Sequence, residues 1–228
     1  MPIFIPILII VGAGLAGAGI GVAVDAIIKA LKGKRLAVLG GLAVGKTVLI
    51  NFLTKGTFSK KYKANRYTKK AEPNDFQLKD LKLRIKESKD VSGDDSQYGQ
   101  WKDIVQKADI VLYLLRTDKL MEGDKCTEER VKRDIGLIGK WLKEYPKKFP
   151  LFIIGTYCDL MTPDLTMLPE DKRGAYENKI RGMPIFQEIA LRSGGGRKVK
   201  FIFGSLKSQD TTESLVYEII DQVVNHNE

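Results

Sequence analysis

Apolar positions along the chain change their spacing near Lys34. Before it, residues 3–24 carry no charged side chain, and a helix of that length spans the ~30 Å of a bilayer's hydrocarbon core. After it, short apolar blocks alternate with longer amphipathic stretches. Arg35–Leu39 (RLAVL) reads as a short buried strand, and Lys46–Leu53 as the helix that follows. Phe76–Leu78 and Leu81–Ile85 read as a strand pair. Ile110–Leu115, Leu151–Ile154 and Val199–Phe203 read as three further apolar strands. Helical spacing is predicted over 97–107, 126–144, 174–192 and 211–225. Residues 55–72 are polar and basic, contain Gly56 and show no period, so they read as a loop. Strands alternating with helices predict an α/β fold with a mostly parallel sheet covered on both faces. The chain thus divides into a hydrophobic, glycine-rich anchor with a basic flank (1–33) and an α/β domain (34–228).

Lys29, Lys32, Lys34 and Arg35 follow the apolar run, which favours a single-pass span with the domain on the cytoplasmic side. Ala13, Gly17 and Gly21 recur every four residues, a spacing that lets two membrane helices approach closely. Simple insertion, self-association and burial within an oligomer all stay open for this segment. The formal charge of +10 suits an acidic partner surface or a solvated basic one. Seven basic residues between Lys55 and Lys70, ahead of Glu72, could meet anionic headgroups or an effector. No base-stacking motif is evident among them, and no specific nucleic acid is expected. Trp101 and Trp141 fall on predicted helices and read as packing residues. The single histidine, His226, excludes histidine triads, and the two cysteines, Cys126 and Cys158, form no zinc spacing. Chemistry must come from Lys, Asp, Ser/Thr and backbone groups.

Gly40-Gly41-Leu42-Ala43-Val44-Gly45-Lys46-Thr47 matches G-x-x-x-x-G-K-[ST] at every required position, between a predicted strand and a predicted helix. Its backbone N–H groups would cradle a β-phosphate, Lys46 would neutralise the β- and γ-phosphates, and the Thr47 hydroxyl would coordinate Mg²⁺. Three signals follow in order. Asp90-Val91-Ser92-Gly93 places an aspartate to hold Mg²⁺ through water and a glycine N–H for the γ-phosphate. Thr156-Tyr157-Cys158-Asp159 places a carboxylate that can accept from guanine N1–H and N2–H₂, a donor pair adenine lacks. Ser205-Leu206-Lys207 could set the Leu206 N–H on guanine O6, with Lys207 near the base. The combination points to GTP and GDP as ligands.

With these motifs the sequence resembles the Ras-like small GTPases, and within them the Arf-like branch, over about residues 34–225. Asp90-Val91-Ser92-Gly93 followed by Trp101 is similar to that branch's D-V-G-G-Q segment and later tryptophan. The resemblance implies a P-loop NTPase G domain with a six-stranded sheet, five helices and two loops that order around the γ-phosphate. Those loops, and the effector surface they would form, correspond to 55–72 and 90–101. An anchor ahead of such a domain is similar in layout to the β subunit of the signal-recognition-particle receptor. The chain departs from the family at Asp94, where related proteins carry the glutamine that orients water. Gln97 is the candidate substitute, and slow or partner-stimulated hydrolysis is expected. Thr68, and after it Thr57, is the candidate for closing over Mg²⁺. The guanine motif carries Thr156 and Tyr157 in place of the family's asparagine and lysine, and the Tyr157 ring could stack on the base. The expected activity is a membrane-anchored GTPase switch. A hydrolysis-deficient scaffold, a nucleotide-gated membrane-assembling effector and an ATP-using enzyme are the alternatives.

Overall fold

The computed structural model describes residues 35–55, 74–78, 81–87, 95–144, 151–194 and 199–225. The expected membrane segment 3–24, Thr57, Thr68, Asp90, Gly93 and Asp94 lie outside these residues, as does nearly all of the loop 55–72. Among the described residues no helix is long and apolar enough to cross a membrane.

The described elements run β1 (Arg35–Gly40), α1 (Lys46–Lys55), β2 (Asn74–Leu78), β3 (Leu81–Glu87), α2 (Asp95–Lys107) and β4 (Ile110–Arg116). They continue with α3 (Thr117–Met121), α4 (Lys125–Glu144), β5 (Leu151–Thr156), α5 (Glu170–Arg181), α6 (Pro184–Arg192), β6 (Val199–Phe203) and α7 (Gln209–Asn225). The strands form one sheet in the order β2-β3-β1-β4-β5-β6. Among the described strands only the β2–β3 pair is antiparallel. The other pairings are parallel, with Leu39 opposite Tyr113, Leu114 opposite Ile154, and Ile154 opposite Ile202.

The parallel strands are continuous apolar runs because helices cover both of their faces. Successive side chains feed opposite layers, as the two-residue strand period requires. Ala37, Leu39, Val111, Tyr113 and Leu115 join Trp101 of α2, Ile135 and Trp141 of α4, and Phe186 of α6. Val38, Leu112, Leu114 and Ile154 instead join Leu49 and Phe52 of α1 and Leu215, Ile219 and Val223 of α7. Both tryptophans are therefore core residues, 1% and 5% exposed.

One helix boundary differs from the sequence reading. The helix expected over 174–192 is two helices, α5 and α6, which meet at Gly182-Met183-Pro184. Pro184 has no N–H to donate into a continuing helix, and it occupies the first turn of α6, where none is needed. The short helix α3 between β4 and α4 was also not expected; it holds one turn between Arg116 and Glu122.

At the β6 edge, α5 supplies two arginines that occupy strand carbonyls. Arg173 donates to Phe203 O at 3.0 Å, and Arg181 donates to Phe201 O at 3.2 Å. Glu177 pairs with both arginines, and Glu218 of α7 pairs with Arg173 at 3.1 Å. Capping an edge strand in this way blocks pairing with another chain. Burial pushes the Glu218 carboxyl up to about 7, against an ordinary 4.5. A carboxyl raised on folding contributes stability that is complete below the unfolded value and lost as pH rises through the folded one. Glu218→Gln should therefore gain on the wild type in thermal midpoint between about pH 5 and pH 8, by a few degrees. A difference between the two proteins that stays constant with pH would mean that Glu218 ionises normally.

Candidate functional site

The strand order reverses at β1: the chain passes from β1 to β2 and β3 on one side, then to β4, β5 and β6 on the other. In open α/β sheets, ligands bind at the carboxyl ends of the strands at such a reversal. The segments that lie there are the loop after β1 and the short connections after β4, β5 and β6.

Gly40 closes β1 with φ 139°, and a β-carbon there would stand 2.3 Å from Leu114 O, so the position admits only glycine. The loop then turns through Ala43 at φ 56° and Gly45 at φ 95°. The Ala43 conformation is unusual for a residue with a side chain, and the Tyr157 hydroxyl supports it by donating to Ala43 O at 2.8 Å. Helix α1 begins at Lys46 with no acidic residue in its first turn, so its unpaired amides and dipole present positive character to the loop. Lys46 is 5% exposed and folds back over the loop. Its Nζ donates to Gly40 O at 3.0 Å and also to Gly41 O. Thr47 and Leu42 are exposed.

The second wall comes from β5. Thr156 is fully buried, and its Oγ1 lies 3.0 Å from Val44 O and 2.9 Å from Leu115 O. Its single proton is shared between them, so its role is to tie β4, β5 and the loop together. Tyr157 takes the left-handed conformation, φ 61°, and the Arg116 guanidinium lies over its ring at 4.2 Å. Arg116 is held in turn by the buried Asp118, its Nε 3.0 Å from Oδ1. The Cys158 thiol is pushed up to about 12 by burial, which removes it as a nucleophile.

The third wall follows β6. Gly204 accepts from Cys158 N at 3.1 Å and donates to Gly155 O at 2.9 Å, which locks the β5 and β6 connections together. Ser205 Oγ donates to Asp159 Oδ1 at 2.6 Å, and Lys207 N donates to Ser205 Oγ at 3.1 Å. Lys207 Nζ lies 3.6 Å from Asp159 Oδ2. A carboxylate has about four acceptor positions, so Asp159 keeps capacity beyond these two contacts. Leu206 turns its side chain onto the loop: a β-carbon at Gly45 would stand 2.5 Å from Leu206 Cδ1.

A cavity of about 840 Å³ lies between these walls, bounded by Ala43, Gly45, Tyr157, Asp159, Leu206 and Lys207 among others. That is within the ordinary range for small-molecule sites. The structure thus gathers Ala43, Gly45, Thr156, Tyr157, Asp159 and Ser205–Lys207 around one space, and the remaining residues of 40–47 belong to the loop that bounds it. Gln97 falls on α2, and the expected Asp90, Gly93, Asp94 and Thr68 lie outside the described residues. Among the described residues no cluster of three or more His, Cys, Asp or Glu could hold a metal.

Val48, Leu160 and Ser208–Asp210 also line the cavity without having been expected there, and two arginines stand close to its walls. Arg116 had a usable signal, as the one charge closing an otherwise apolar strand (IVLYLLR). Arg130 of α4, whose Nε lies 3.9 Å from where a Gly41 β-carbon would stand, had none, because its helix carries several basic residues.

Comparison with protein-family models finds no match, and comparison with curated protein sequences finds none either. Among solved structures the chain is similar to an ADP-ribosylation-factor-like GTP-binding protein, a small COPII coat GTPase from Encephalitozoon cuniculi, in complex with GDP. The two share 16% identity over 91% of this chain and 87% of that one, with a TM-score of 0.49.

Proposed function

We propose that this chain binds GTP with Mg²⁺, hydrolyses it slowly to GDP and phosphate, and acts as a nucleotide-dependent switch. The carrying observation is that a phosphate loop and the Asp159–Ser205 pair face each other across one cavity. The loop, the α1 N-terminus and Lys46 supply positive character for phosphates. Asp159 supplies acceptors for the guanine N1–H and N2–H₂ pair, and Tyr157 supplies a ring beside the base. The exposed Thr47 hydroxyl would offer one oxygen to Mg²⁺, with Asp90 and Thr68 the remaining candidates from the sequence. When bound, Mg²⁺ supplies charge neutralisation at the phosphate oxygens. Lys46 would do the same from the protein side.

Hydrolysis is expected to be slow because Asp94 stands where a water-orienting glutamine would serve, with Gln97 as its substitute. Asp94 equally supports a second reading, a GTP-binding scaffold that does not turn over. Residues 3–24 are proposed to anchor the chain in a membrane with the domain facing the cytoplasm; self-association through the glycine repeat belongs to the alternative of a membrane-assembling effector. Residues 55–72 and 90–101 are proposed to meet a protein effector.

The test is the nucleotide that co-purifies with the full chain, extracted and identified by anion-exchange chromatography. Guanine nucleotide is the expected result. Adenine nucleotide, or a chain that titrates with ATP and not GTP, would remove the guanine assignment. Phosphate release from bound GTP under single-turnover conditions separates the switch from the scaffold: none over hours, with or without added lysate, leaves only the scaffold.

A further inference from the structure

A buried polar cluster joins the phosphate loop to α2. Asp134 of α4 is fully buried. It accepts from the Tyr98 hydroxyl of α2 at 2.8 Å, from the Tyr113 hydroxyl of β4 at 2.9 Å, and from Arg130 Nε at 3.3 Å. Arg130 sits beside Gly41, with Nε 3.9 Å from a β-carbon built there. Gly41 marks one end of the loop. Lys46, the side chain placed to meet β- and γ-phosphates, bonds to Gly40 O and Gly41 O. The base side of the cavity lies at the other end, where Ala43 and Gly45 face Tyr157, Asp159 and Leu206. Arg130 therefore approaches the loop where a terminal phosphate would lie, and it shares a carboxylate with the residue that holds α2.

We propose that Arg130 is a sensor of the terminal phosphate, leaving Asp134 for a γ-phosphate at the Gly41 end of the loop, and that the Asp134–Tyr98 bond passes this exchange to α2. The proposal rests on the nucleotide reading given above. A guanidinium pairs with phosphate and carboxylate oxygens alike, a γ-phosphate carries the greater charge, and two tyrosine hydroxyls remain to hold Asp134 when Arg130 moves. GDP lacks the group that draws Arg130, so it leaves the cluster as described. Trp101 reports on the change: its ring meets Tyr98 edge-on at 5.8 Å and Tyr113 at 6.4 Å.

The experiment titrates the full chain with GDP and with GTPγS. Arg130→Ala is expected to weaken GTPγS binding about tenfold while GDP binding stays within about twofold. Arg130→Lys, which keeps the charge, should restore most of the loss. Equal losses for both nucleotides, no loss, or a lysine variant as impaired as the alanine variant would overturn the sensor role. A wild type that binds neither nucleotide overturns the nucleotide reading, and this inference with it. Tyr98→Phe should preserve both affinities yet abolish most of the difference in tryptophan emission between the GDP and GTPγS states. A full emission difference in that variant would overturn the link to α2.

Discussion

Lys46→Ala should weaken binding of GTP and GDP alike by a hundredfold or more, read by titration with a fluorescent nucleotide. Lys46 is 5% exposed and its ammonium already bonds to the loop, so little ordering remains to be done when a phosphate arrives. Each charge-assisted bond from it to phosphate contributes about 1.5–3 kcal/mol, and two such bonds exceed the ~2.7 kcal/mol that a hundredfold represents. The variant also leaves the Gly40 and Gly41 carbonyls without their lysine donor. A thermal melt of the nucleotide-free protein separates that cost from the loss of binding. The loss falls on both nucleotides, which distinguishes Lys46 from Arg130. Near wild-type affinity in a folded Lys46→Ala protein would remove the loop as the phosphate site.

Asp159→Asn should reduce the preference for GTP over ATP by about 10²- to 10⁴-fold, measured by competition between the two nucleotides. The substitution keeps the shape of a side chain that is 8% exposed, and replaces one acceptor with an amide donor. That donor would face the guanine N–H groups. Sites built to hydrogen-bond a ligand discriminate by leaving buried groups unpaired, and discrimination of this size is typical of them. Ser205 Oγ, 2.6 Å from Asp159 Oδ1, retains an acceptor if the oxygen stays in place, so the variant should still fold. An unchanged preference would place the base elsewhere.

Much of this arrangement is legible in the chain because its constraints are local. The loop at residues 40–47 takes glycine where φ is 139° and 95° and enters α1 at Lys46 and Thr47, so its spacing survives as a pattern. The parallel strands show as apolar runs because both of their faces are covered. Other features depend on distant partners and leave no pattern. Thr156 reads as part of a base-recognition motif, yet its hydroxyl is spent on Val44 and Leu115. Arg116 reaches Tyr157 only because β4 and β5 are neighbours in the sheet. The break at Pro184 is hidden because apolar spacing continues from α5 into α6, and proline is tolerated where a helix begins.

Thr156 also bears on how the protein is made. Its hydroxyl joins the phosphate loop to β5, and β5 is locked through Gly204 to the segment holding Ser205. A chain emerging from the ribosome exposes the loop at residues 40–47 before Asp159 and Ser205 are made. Until then the loop lacks both the strut that supports it and the wall that completes the cavity. On the proposed reading, a nascent chain would offer phosphates at most a half-built cradle, and capture of the whole nucleotide would coincide with the pairing of β6 against β5.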